Sequence, residues 1–115
     1  MLSNTIGWLL LCFTGISAHQ TRHRMRQIEL RHLRYFVAVA QAGSVMAGAR
    51  AAGIVQPALS RQIRELEDAI GTPLLIRRAT GVTLTAAGTS FLRDATGLLA
   101  MLQDSRERAL RSAAG

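Results

Sequence analysis

From Leu30 to Ala42 the apolar residues Leu30, Leu33, Phe36, Val37 and Ala40 recur three and four apart, the spacing that gathers them on one face of a helix. Gly43 ends that pattern, and Ser44 follows where an N-cap belongs. Its hydroxyl suits a free backbone N–H, so Val45 to Ala52 reads as a short Ala-rich second helix. Gly53 supplies the next break. Pro57 suits the first turn of a third helix, where its missing N–H is not needed, and Leu59, Ile63, Leu66 and Ile70 give that helix a buried stripe. After Gly71 two β-like pieces, Leu74 to Arg77 and Val82 to Thr85, flank a polar turn containing Thr80 and Gly81, which predicts a small hairpin. From Ala86 to about Ser112 the residues Phe91, Ala95, Leu98, Leu102, Ser105 and Ala109 alternate four and three apart. Such a stripe suits a two-helix seam.

The first 24 residues differ from the rest. Ile6 to Ile16 is an almost unbroken apolar run, followed by the basic stretch Arg22, His23, Arg24 and Arg26. Three readings compete for it. The run is shorter than the roughly 17–25 residues of a membrane span. A signal peptide fits its length and Ala18, but the leading residues carry no Arg or Lys. The preferred reading is an upstream extension, with the start of the domain at Met25, because the helical pattern begins directly afterwards.

Length and composition narrow the class. A chain of 115 residues holds one small core and one extra element, since single cores occupy about 100–150 residues. Aromatic residues make up only 4%, which points to Ala- and Leu-rich helices rather than a β-sandwich. The lone Cys12 excludes an internal disulfide framework and is compatible with a reducing cytoplasm. All 14 basic residues are Arg and face 7 acidic ones, a balance that favours a polyanionic partner such as nucleic acid or an anionic membrane. A GC-rich genome favouring Arg and Ala codons is the bland explanation of the same excess. His19, His23 and His32 show no metal-ligand pairing and no nucleophile motif is present, so neither a metal, a cofactor nor an enzymatic role is expected. Glu65, Glu67 and Asp68 read as solvated ion-pair partners on an Arg-rich helix.

Two short helices joined at Gly53, the later one led by Gln56 and Pro57, form a helix-turn-helix whose second helix fits the DNA major groove. Opposite the stripe of Leu59, Ile63 and Leu66 lie Gln56, Ala58, Ser60, Arg61, Gln62 and Arg64, side chains suited to bases and phosphates. Each taken alone is equally well a solvated surface residue. The stretches ELRHLRYFVAVAQAGS, QPALSRQIRELEDAIGTPLL and GVTLTAAG resemble the LysR-type transcriptional regulator family in order, spacing and residue type. The resemblance is close from Glu29 to about Gly88 and looser over the following helix.

That resemblance implies a mainly α fold: a winged helix-turn-helix with a small two-stranded wing over residues 25–85, followed by a long dimerisation helix over 86–115. It implies double-stranded DNA as partner and a homodimer paired through Phe91, Ala95, Leu98 and Leu102. A tetramer, or a mixed dimer with a full-length relative, is the further assembly it suggests. Family members of full length carry an effector domain that these residues do not form, so no small-molecule effector is expected on this chain. Gln56, Pro57, Ala58, Ser60 and Arg61 match the family's recognition-helix contacts, and Arg77 its wing arginine. Thr85 resembles the residue leading into the linker helix. Arg34 and Arg64 are candidates for further phosphate contacts, although an intrahelical ion pair is the stronger reading of each, Arg64 standing at the right spacing from Asp68. The alternative is a truncated remnant acting only as a dimerisation or membrane-tethered interaction module.

Several positions depart from the family pattern. Ser44-Val45-Met46 stands where Ser-Phe-Thr is common, Ala52 where Leu is, Gly48 where Ala is, and Leu75 where Phe is, while Ile76 and Arg78 alter the start of the wing. Smaller core residues, and about 1 kcal/mol for a glycine within a helix, predict a marginally stable domain.

Overall fold

The computed structural model describes residues 27–115, so the apolar run, the basic stretch and the Met25 start lie outside the described residues. The elements follow the predicted order. Helix α1 spans Leu30–Ala42, α2 Val45–Ala52 and α3 Gln56–Ile70; strands β1, Leu75–Arg78, and β2, Gly81–Leu84, precede α4, Ala86–Ala114. The strands are antiparallel, with Leu75 opposite Leu84 and Arg77 opposite Val82. Each lies one residue from its predicted span: Leu74 stays outside β1, and Gly81 opens β2 instead of sitting in the turn.

Local chemistry sets the helix ends. Ser44 Oγ accepts the Ala47 amide at 3.0 Å, and Thr85 Oγ1 accepts the Gly88 amide at 2.9 Å. Gly43 and Gly53 close α1 and α2 in the left-handed region, at φ 79° and 69°. Between these ends the apolar stripes meet in one core of Phe36, Val39, Val45, Ala49, Leu59, Ile63, Leu66, Leu74 and Leu75. A fully buried Leu or Phe contributes about 1.5–3 kcal/mol, so this cluster is what holds the three short helices together.

Two expectations about the core change. Gly48 is a point of close helix approach: a Cβ there would lie 2.8 Å from Val39 Cα and 2.9 Å from Val39 Cγ2. The glycine lets α2 settle directly on α1, which offsets its poor helix propensity. Ala52 is only partly buried, so the smaller side chain leaves less of a gap than a core position would.

The acidic residues of α3 are also tied into the fold. Glu67 Oε2 accepts the amides of Leu74 and Leu75 at 2.7 and 3.1 Å, joining the end of α3 to the start of the wing. Glu65 Oε2 lies 3.2 Å from Nε2 of His32, a buried ring whose Nδ1 accepts the Glu29 amide at 3.0 Å. A ring nitrogen that accepts carries no proton, which leaves Nε2 to donate to Glu65. These two carboxylates thus satisfy fixed protein donors, and the expectation of solvated ion pairs with Arg does not hold for them.

Helix α4 divides into two parts. Phe91 packs on the core, its ring centroid 5.7 Å from that of Phe36, and Ala95 is fully buried within its own chain. Every residue from 101 to 115 is exposed. Of the expected seam residues, Phe91 is partly buried against the intramolecular core and Ala95 is buried in its own chain, while Leu98 and Leu102 are more open, at 51% and 39% exposure. Among the described residues no helix is long and apolar enough to cross a membrane.

Candidate nucleic-acid interface

The third helix presents its leading end to solvent. Its core-facing stripe of Leu59, Ile63 and Leu66 is buried, while Gln56, Pro57, Arg61 and Arg64 are exposed and Ala58 is partly so. Pro57 in the first turn has no N–H to leave unpaired and presets the backbone angle that the helix requires. The exposed residues thus carry two guanidinium groups and one amide on a rigid scaffold, the donor and acceptor types that read base edges and hold phosphates.

Ser60 and Gln62 do not share that free face. Ser60 is buried, and its Oγ accepts a hydrogen bond from Nη1 of Arg77 at 3.3 Å. Gln62 is partly buried, and its Oε1 accepts from Nε of Arg31 on α1 at 3.1 Å, while Arg31 also pairs with Glu29. Both α3 side chains were expected opposite the buried stripe. Their positions on the helix circumference instead bring them against the wing and α1, so Ser60 orients Arg77 and Gln62 orients Arg31.

The wing adds charge beside α3. Arg77 and Arg78 stand exposed at the end of β1, and Arg78 Nε donates to Thr83 Oγ1 at 3.4 Å across the hairpin. The Val82 amide donates to Gly43 O at 2.9 Å, which fixes β2 against the turn between α1 and α2. Between the start of α2, the start of α3 and the wing lies a solvent-open cleft of about 430 Å³, lined by Ser44, Met46, Gln56, Arg77, Arg78 and Thr80 among others. Sequence spacing gave no sign of this cleft, because its walls come from three segments 10 or more residues apart in sequence. Arg34 is exposed on α1, as phosphate contact requires.

Comparison with known proteins bears on these features together. Residues 30–89 match bacterial regulatory helix-turn-helix proteins of the lysR family. The chain is 51% identical over 82 residues to the Hca operon transcriptional activator HcaR of Escherichia coli (strain K12), which covers 71% of this chain and 28% of that protein. It is 49% identical over 88 residues to the HTH-type transcriptional regulator BudR of Klebsiella aerogenes, covering 76% of this chain and 62% of BudR. The alignments thus span less than two thirds of these relatives' own length. Among solved structures, that of a complex of BenM_DBD with catB site 1 DNA superposes with a TM-score of 0.74 at 42% identity, covering 76% of this chain and 99% of that one. A CbnR_DBD–DNA complex superposes with a TM-score of 0.72, also at 42% identity, covering 75% and 99%. With the family match extending over more than half of its 115 residues, the chain belongs to the lysR family of bacterial regulatory helix-turn-helix proteins.

Proposed function

We propose that this chain is the DNA-reading part of a cytoplasmic transcriptional regulator, binding operator duplex as a homodimer and carrying no catalytic role. The observation that supports it best is the exposed leading end of α3, with Gln56, Pro57 and Arg61 beside the wing guanidinium of Arg77, all set on a buried apolar core. Helix α3 enters the major groove with Gln56, Pro57, Ala58 and Arg61 toward base edges. Arg77 lies on the sugar-phosphate backbone or in the minor groove, held by Ser60, and Arg34 and Arg64 take flanking phosphates. Two copies pair through the free stripe of α4 that begins at Leu98 and Leu102, which places two reading heads on one duplex.

A salt-titrated binding assay on residues 25–115 tests this, comparing the region upstream of the neighbouring gene with random duplex. The expected result is preferential binding as a dimer, falling steeply with salt as counterions return to the phosphates. Replacement of Arg61 by Ala should lower affinity by about 1–3 kcal/mol and relax base preference. Equal weak binding to both duplexes would leave only basic charge at work and refute an operator-reading role.

A further inference from the structure

One helix start breaks the rule that its neighbours follow. Ser44 and Thr85 cap α2 and α4 through hydroxyls that accept backbone amides. At the same place before α3 stands Val55, whose side chain makes no capping bond. A β-branched hydrocarbon is among the poorest N-caps, and Ser, Thr, Asp or Asn would satisfy an amide that Val leaves open.

Nor does Val55 contribute to the core. It is 70% exposed, more than any other large hydrophobic side chain among the described residues. The backbone there is extended, at φ −70° and ψ 146°, so adjacent side chains diverge. Ile54 takes the inward direction and packs against the core, which turns Val55 away from it.

A single exposed Val is ordinary on most surfaces. This one immediately precedes Gln56 and Pro57, at the end of α3 that meets base edges if the domain reads DNA as proposed above. Hydrogen-bonding groups such as those of Gln56 and Arg61 cannot sense the one hydrocarbon feature of the major groove, the C5-methyl of thymine. We infer that Val55 is a specificity-determining residue that packs its methyl groups on the C5-methyl of a thymine, and so favours thymine at one position of each half-site. The inference rests on the DNA-reading proposal.

The test uses the full chain. Its preferred duplex is selected from a randomised library, and each thymine is then replaced in turn by deoxyuridine, which removes the methyl and keeps every hydrogen-bonding group. At one position per half-site the parent protein should lose about fourfold in affinity, the effect of one buried methyl group. Val55→Ser should bind the two duplexes equally there, whereas Val55→Ile should keep the discrimination. Thermal melting provides a second readout: Val55→Ser should melt at the same or a higher temperature, since serine restores a cap. The same deoxyuridine sensitivity in parent and Val55→Ser, no sensitive position at all, or a large loss of stability in Val55→Ser would each overturn the assignment. A chain that selects no preferred duplex would overturn the DNA-reading proposal together with it.

Discussion

Arg77 in the wing donates from Nη1 to Ser60 Oγ in α3 across 3.3 Å, bridging the wing and the third helix through residues 17 positions apart. The wing guanidinium is therefore partly immobilised before any ligand arrives, which reduces the side-chain entropy lost when it meets a phosphate. Arg77→Ala should weaken binding almost uniformly across sequences and flatten the salt slope by about 1. Because Ser60 acts through Arg77, Ser60→Ala should matter in the parent and much less in Arg77→Ala. A double-mutant cycle on DNA affinity should give a coupling of at least about 0.5 kcal/mol. Strict additivity would show that Ser60 does not position Arg77.

Three glycines in helices should respond to alanine in different ways. At Gly88 a Cβ would lie 2.0 Å from the Leu74 carbonyl oxygen, and at Gly48 it would lie 2.8 Å from Val39 Cα. Both obstacles are backbone atoms that cannot rotate away. Gly88→Ala should unfold the domain or cost several kcal/mol, and Gly48→Ala should lower stability despite its better helix propensity. At Gly97, with nothing within 4 Å of the added carbon, alanine should raise stability by up to about 1 kcal/mol. Urea denaturation of the three variants checks the order.

Glu67 joins α3 to the wing through the Leu74 and Leu75 amides. Removing the carboxylate leaves two amide donors without their partner, one of them beside the fully buried Leu74 side chain. Glu67→Ala should cost about 2 kcal/mol, in the range of hydrogen bonds to charged groups. Amide hydrogen exchange at Leu74 and Leu75 should accelerate more than at Phe36, locating the damage at the wing.

The outer half of α4 is exposed at every residue from 101 to 115. A helix of 29 residues extends about 43 Å at 1.5 Å per residue, and its exposed end is too short to be more than marginally stable alone. Leu98→Asp combined with Leu102→Asp should convert dimers to monomers in sedimentation and reduce helicity by circular dichroism. The core, which contains neither residue, should still melt cooperatively. Unchanged dimers would place the interface elsewhere.

The variants Gly48→Ala and Leu98→Asp mark where the sequence was readable and where it was not. By itself the sequence determined the element order, because helix periodicity, caps such as Ser44, and breaks such as Gly43 and Gly53 depend on residues within a few positions of one another. The same locality made the exposed leading end of α3, with Gln56, Pro57 and Arg61, legible. Only the tertiary structure decided that Gly48 permits close helix contact, that Ser60 is turned toward Arg77, that Glu65 and Glu67 serve His32 and the wing amides, that Phe91 packs against the core, and that Ala95 is buried within its own chain. Each of these depends on a neighbour brought close by folding. A heptad stripe records which residues share a helix face, but which stretch of that face its own domain buries depends on where α1 crosses α4.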